Sequence, residues 1–520
     1  MSYRLMLQGT MSNVGKTLLT AGLCRVFRQD GFKVMPFKAQ NMSLNSCITE
    51  NGEEMSRAQV MQAEAAGVVP TADMNPLLLK PTGLTGSQVI LKGKVLENMT
   101  ARDFYRRKSE FRGPILESFH RLEEQADILL IEGAGSPVEL NLRQDDLVNM
   151  GFAEMVDAPV LLVGDIDPGG VFAQLLGTLS LLKEEERARV KGLIVNKFRG
   201  DRTLFEEGVR ILEEKSGLPV VGVVPFTELD LPDEDSMSDR LKQGRRPGAA
   251  FDLAVIRYPR ISNFTDFDCF DAWPDMQVRF VTRPEELGNP DLLILPGSKN
   301  TLADIAWLRE AGLDRMITAY AAYGPVLGIC GGYQMLGETI DDPEGVEWSA
   351  RGSDRAAEDN DVPSAASGLG LLPVRTVMRP DKVQVKKEGR IGRLTGTLAD
   401  LSGCQVSGYE IHMGRSVDTA GEAALERGGS GNSAGEETVL EANNVYGTYL
   451  HGIFDAPEVI PALRKSLARR RGITLPEEAP VDYTAFKEKE YDRLAEVLRQ
   501  SLDMDRIYAI MGLTDRKGGL

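Results

Sequence analysis

Histidine is scarce in this chain, with three among 520 residues, so any step that needs an imidazole must draw on His120, His412 or His451. Cysteine is scarce as well. Cys24, Cys47, Cys269, Cys330 and Cys404 are scattered, with no CxxC pair and no histidine at ligand spacing. That pattern excludes a zinc ribbon and argues against a disulfide scaffold. Basic residues number 60 against 77 acidic ones, for a net charge of −17. A protein that wraps nucleic acid needs the opposite balance to displace counterions, so an anionic substrate here must be met by local basic groups. Long apolar runs are missing too. Residues 128–131 and 292–295 are typical, far short of the roughly 20 residues that span a bilayer. The N-terminal residues carry neither the basic stretch nor the cleavage site of a secretory leader. Together these absences predict a cytoplasmic protein that binds neither nucleic acid nor membrane.

A length of 520 residues exceeds what one hydrophobic core organises, so two domains are expected. Apolar runs at 4–7, 33–37, 128–131, 159–163, 192–195 and 219–223 alternate with amphipathic stretches. That is the pattern of a parallel sheet with helices on both faces. Residues 231–250 lack any period and are rich in Pro, Asp, Ser, Gly and basic side chains, as a linker would be. Alternation resumes with runs at 253–257, 277–281, 292–295 and 326–329. Two polar insertions, 351–367 and 419–437, read as surface loops. The prediction is an α/β protein with domains at 1–230 and 251–460 and a tail at 461–520 of two helices, the second over 483–502.

Residues 9–17 read GTMSNVGKT and connect the first strand to a helix. Gly9, Thr10, Asn13 and Gly15 would turn backbone N–H groups toward phosphate, Lys16 would reach the terminal phosphates, and Thr17 would hold magnesium. Five residues separate Gly9 from Gly15, one more than in the common form of this loop. The plainer alternative is a tight strand-to-helix connection. A phosphate-bound magnesium wants a carboxylate at a neighbouring strand end, and Glu132 in IEGAG closes such a run. Asp165 is a weaker candidate. Asn196 and Lys197 follow the next strand, where such folds meet the base, although a simple loop role serves equally well.

Residues 328–332 read GICGG between a strand and a helix, the sulfur version of the nucleophile elbow. Cys330 is the expected nucleophile, and the N–H of Gly331 is placed to stabilise an oxyanion. The turn LPGSKN at 295–300 follows a strand, so Gly297 could supply a second such N–H. His451 ends an apolar strand beside a glycine and is the preferred base. His412 reads as structural or substrate-touching, and His120 as solvated on a charged helix.

The elbow with a later histidine resembles the class I glutamine amidotransferases, and the front loop with EGAG resembles the dethiobiotin synthetase branch of P-loop proteins. Their fusion in this order resembles the cobyrinate amidases nearly end to end. The carrying stretches are residues 8–17, FKAQNMSLN at 37–45, DMNPLLLKP at 73–81, EGAGSP at 132–137, NKFRGD at 196–201, ISNFTDFD at 261–268, 328–336 and 447–454. The resemblance implies an N-terminal P-loop parallel sheet fused to a class I amidotransferase sheet. It also implies amidation of the b, d, e and g carboxylates of adenosylcobyrinic acid a,c-diamide, with glutamine, ATP and Mg2+. Cys330 would release ammonia from glutamine with His451 as base. The ammonia would then meet a corrin carboxylate that ATP has turned into an acyl phosphate. Lys38 and Asp146 are the residues expected to serve at that activated carboxylate. The alternative within the family is the branch that makes the a,c-diamide itself; QNMSLN, NPLLLKP and SNFTDFD favour the first.

Many class I amidotransferases carry Glu two residues after the histidine, but Ile453 stands there in this chain. A Cys–His dyad is therefore expected, its orienting group unassigned, with glutamine turnover modest until the other site is filled. A rival of another class is a P-loop switch with a dead amidotransferase module. The presence of Cys330 and a candidate base argues against it. The expected partners are glutamine and the corrinoid alone, and the oligomeric state stays open.

Overall fold

The computed structural model describes residues 2–82, 86–231, 248–347, 364–419, 438–475 and 481–513. Most of the predicted linker and of both polar insertions lies outside the described residues. The N-terminal half holds a six-stranded parallel sheet in the spatial order Val220–Pro225, Val190–Phe198, Val160–Asp165, Tyr3–Gly9, Ile128–Glu132, Val34–Phe37. Such strands are covered on both faces, so they read as continuous apolar runs rather than alternations. Successive residues still point opposite ways. Met6, Leu129 and Ile131 enter one core, while Leu5, Leu7, Ile128 and Leu130 enter the other.

The C-terminal half repeats the plan with Met276–Val281, Phe251–Ile256, Leu292–Leu295, Val326–Ile329 and Val445–Thr448 all parallel, closed by the antiparallel edge Leu440–Ala442. Beside it stands a long antiparallel pair, Val374–Arg390 with Gln405–Asp418. The N-terminal half has its own side sheet, in the order Gln40–Met42, Leu77–Pro81, Gly86–Leu91, Lys94–Thr100. These added strands face each other across the junction of the halves.

Among the described residues the tail carries three helices where two were expected. Val459–Arg471 packs into the C-terminal core through Leu463 and Leu467. Tyr483–Ser501 and Met504–Met511 instead return to the N-terminal half, where Leu494, Leu498 and Ile507 join Leu19 and Phe27. The helix Lys16–Gln29 meets Tyr483–Ser501 at Gly22, where any Cβ would collide with Leu498. Arg25 pairs with Asp492 at 2.7 Å and Lys487 with Glu64 at 2.8 Å along the same contact.

The junction buries an ion cluster. Glu54 is inaccessible and accepts from Lys80 at 2.9 Å on its own half, and from Lys382 at 2.6 Å and Gln384 at 2.8 Å on the other. Burial alone would raise its carboxyl pKa, but Lys382 and Lys80 overcome that and hold it well below the usual range. Removing one partner of such a pair strands the other charge. Glu54→Gln is expected to destabilise the chain by about 3–5 kcal/mol, read as a lower midpoint in thermal or urea unfolding. An unchanged midpoint would show that Lys80 and Lys382 are not compensated by Glu54.

Candidate active site

Cys330 sits at the C-terminal end of the strand Val326–Ile329, with φ 52° and ψ −110°. That backbone is strained for a residue with a Cβ and has to be held by its surroundings. The Cys330 N–H bonds to the Thr448 carbonyl of the neighbouring strand at 2.8 Å, and glycines flank the turn. A Cβ on Gly332 would strike the Leu295 carbonyl, and one on Gly331 would stand 2.8 Å from the Ser298 N. The elbow and the 295–300 turn therefore approach more closely than any side chain at 331 or 332 would allow.

The strand Val445–Thr448 lies beside the elbow strand, and three residues beyond its end is His451. His451 is 1% exposed, feels the charge of Cys330, and has Nδ1 2.7 Å from Asp266 Oδ2; the Cys330 Sγ itself lies 3.6 Å from the Ile411 carbonyl. The second oxygen of Asp266 accepts the Gly452 N–H at 3.1 Å. The dyad expected from the sequence thus has a third member. Burial alone would lower the pKa of His451, but the Asp266 carboxylate and Cys330 raise it to about 10. The imidazole is accordingly charged near neutrality and suited to pair with a thiolate. Tyr409 stacks on the ring, with centroids 5.4 Å apart, and exchanges backbone hydrogen bonds with His451. Gly297 also abuts it: a Cβ there would stand 3.1 Å from His451 Cε1. Ile453, where a glutamate was sought, turns into the apolar core with Leu450 and Phe454.

Neither of the other histidines pairs with Asp266. His412 Nδ1 lies 2.7 Å from the Gly414 carbonyl and its ring stacks on Tyr449 at 3.8 Å, whereas His120 is exposed beside Glu123.

At the front loop, Gly15 has φ 90°, and a Cβ there would collide with the Asn196 amide. Asn196 Nδ2 donates to the Val14 carbonyl at 2.7 Å, and Lys197 bonds to the Asn13 carbonyl at 2.5 Å and Asp165 at 2.9 Å. Thr10 donates to Gln174 at 3.2 Å. Lys16 Nζ lies 3.1 Å from the Met11 carbonyl, and 3.0 Å from where a Gly9 Cβ would stand, folded back under the loop. Thr17 donates to Glu132 Oε1 at 2.8 Å, and Lys38 reaches the same oxygen at 2.8 Å. Burial would raise the Glu132 pKa, but Lys38 keeps it below the usual range and ionised. A threonine hydroxyl beside an ionised carboxylate at the end of the adjacent strand is the hard-oxygen set that magnesium takes.

Lys16, Asn13, Lys38, Gln40 and Asp146 border one open cleft of about 420 Å³. Asp146 itself accepts from the N–H groups of Val148, Asn149 and Gly151 at 2.9–3.0 Å, so its oxygens shape the 146–151 turn. That turn places Asp146 on the wall of the same cleft as Lys16 and Lys38.

Residues 5–236 match the CobQ/CobB/MinD/ParA nucleotide binding domain family, and residues 252–459 match the CobB/CobQ-like glutamine amidotransferase domain family. Over nearly the whole chain, the sequence is 48% identical to the cobyric acid synthase of Lachnoclostridium phytofermentans, with 98% of this chain and 99% of that one covered. It is likewise 48% identical to the cobyric acid synthase of Photorhabdus laumondii with both chains fully covered, and to that of Citrobacter koseri with 98% and 99% covered. The chain belongs to the cobyric acid synthase family. Its two halves are the nucleotide-binding and amidotransferase domains of that family, and among the described residues no helix is long and apolar enough to cross a membrane.

Asp266 is the residue that sequence reasoning missed. It lies within ISNFTDFD, a stretch that marks the family, but 185 positions from His451. Exchanging Asp266 for Asn is expected to cut glutamine hydrolysis by on the order of 10³–10⁴. It should also bring the His451 pKa down from about 10. Selective 15N labelling reads this directly, since only three histidines contribute ring signals. The folded pKa lies above the ordinary imidazole value of 6.5, so the imidazolium stabilises the fold fully below that pH and ceases to as pH rises through about 10. A ring titration unmoved by the substitution would sink this reading.

Proposed function

We propose that this enzyme amidates the b, d, e and g side-chain carboxylates of adenosylcobyrinic acid a,c-diamide to give adenosylcobyric acid, using glutamine and ATP in the cytoplasm. The observation that carries the reading is the near-full-length identity to cobyric acid synthases, in a chain that keeps a complete Cys330–His451–Asp266 arrangement. The family contains a sister activity that makes the a,c-diamide, and it remains the alternative tested below.

The chemistry divides between the halves. The Cys330 thiolate attacks the glutamine amide carbon, and backbone N–H groups at Gly331 and Gly297 stabilise the oxyanion. His451 gives its proton to the leaving nitrogen, so ammonia departs and a thioester remains. The neutral imidazole then takes a proton from water, whose oxygen attacks the thioester carbon; the Cys330 thiolate leaves, glutamate is released and the thiolate–imidazolium pair is restored. In the other half, the loop of Gly9, Thr10, Asn13 and Gly15 together with Lys16 holds the nucleotide phosphates, and Asn196 braces the loop. Thr17 and Glu132 would hold Mg2+, which when bound supplies charge neutralisation at the phosphates. Lys38 lies beside Glu132, where it can offset charge on a carboxylate being phosphorylated. Phosphate is the better leaving group, and ammonia displaces it to form the amide. Shielding the ammonia from water limits its protonation and loss.

Mass spectrometry of the product made from the a,c-diamide should show four successive replacements of hydroxyl by amine. A product that stops at two replacements, and only from the unamidated acid, would favour the alternative. Cys330→Ser is expected to abolish glutamine-dependent amidation and leave the ammonium-dependent reaction intact, measured by corrinoid product in each case.

A further inference from the structure

The supports of the catalytic imidazole do not end within the C-terminal half. Asp266 holds His451 through Nδ1, and Tyr409 stacks on its face. Both lead back to Asn263. Its carbonyl accepts the Asp266 N–H at 3.0 Å, and its Nδ2 donates to the Tyr409 hydroxyl at 3.3 Å. Asn263 is buried and left-handed, with φ 53°. Glycine would adopt that backbone more easily, so what asparagine adds is its side chain.

The two ends of that side chain face different halves. Nδ2 faces Tyr409, while Oδ1 accepts the Ser46 N–H of the N-terminal half at 3.3 Å. In return, Asn45 Oδ1 accepts the Phe264 N–H at 3.1 Å. Each asparagine therefore binds the backbone of the other's neighbour, both well out of water. Asn45 is tied in turn to Ser43, whose N–H bonds to the Leu79 carbonyl at 3.0 Å. The strand just before it, Gln40–Met42, borders the nucleotide cleft.

We infer that Asn45 and Asn263 are positioning residues for glutamine hydrolysis, through which the N-terminal half holds Asp266 and Tyr409 against His451. The inference rests on the proposed function. It has a consequence for coupling: a shift of residues 40–46 when the cleft fills crosses between the halves through two hydrogen bonds and reaches the imidazole by way of Asp266 and Tyr409, and the influence runs both ways.

The test uses the full-length enzyme and measures glutamate released from glutamine beside amide formed from ammonium chloride, which bypasses Cys330. Asn45→Ala is expected to lower kcat for glutamine hydrolysis by on the order of 10²-fold, the effect of misplacing a reacting group by about 1 Å. KM for glutamine stays at the wild-type value and ammonium-driven amide formation persists. The alkaline limb of the glutaminase pH profile moves to lower pH as Asp266 loosens from His451. Asn45→Asp keeps the acceptor for Phe264 N–H and restores most of kcat. Asn263→Gly keeps the left-handed backbone but loses both side-chain bonds, and reproduces the Asn45→Ala profile. Wild-type kcat in Asn45→Ala and Asn263→Gly would overturn the inference. So would an equal fall in the glutamine- and ammonium-driven rates, which would make the contact a folding element only. A wild-type enzyme that released no glutamate would overturn the proposed function instead.

Discussion

His451 works only while something holds its far nitrogen, and in this protein that group is Asp266, 2.7 Å away and equally buried. In so dry a site one carboxylate sets both the tautomer and the charge of the imidazole. The surrounding structure is arranged about this contact. Neighbouring parallel strands bring Cys330 and His451 to the same sheet end, and the strained elbow carries the thiol at the strand's tip. The side strand Gln405–Asp418 contributes Tyr409 to the opposite face. With the orienting acid supplied from 261–268, position 453 is released for apolar packing, and Ile453 fills it.

A second constraint binds the halves into one machine. Glu54 has no water to solvate it and survives as an anion only through lysines from both domains. Nearby, Lys299 follows the 295–298 turn and reaches Gln88 of the N-terminal half at 3.4 Å. Burial and the charges of Lys382 and Lys80 bring the pKa of Lys299 down to about 7. A junction carrying this much buried charge does not open and close at small cost. The returning helices Tyr483–Ser501 and Met504–Met511 add a covalent strap, because the last described part of the chain packs against the first. Cys330 and the nucleotide cleft thus belong to halves that are already clamped together.

The large features were legible because they rest on local rules. Runs such as ILLI and LLIL announced buried parallel strands, and the structure has a strand at each predicted run. GTMSNVGKT and GICGG announced their turns because only glycine fits where a Cβ would strike Asn196 or the Leu295 carbonyl. The side sheets were harder. Lys94–Thr100 is mostly exposed and Val374–Arg390 carries charges along both faces, so neither has the apolar period that betrays a strand. The hydrogen bonds that hold Asp146 were equally invisible, because their donors are backbone N–H groups, which leave no trace in side-chain identity.

The sequence by itself determined the family and the two α/β halves, and it singled out Cys330 and His451, since each is written in a short motif whose geometry is set within a few residues. Only the tertiary structure decided what orients His451. Asp266 is 185 positions away and its neighbours in ISNFTDFD bind the other half, so its role exists only once Asn45 and Asn263 meet. The difference is physical: a turn is made by adjacent residues, whereas a buried carboxylate owes its function to groups that folding brings from afar.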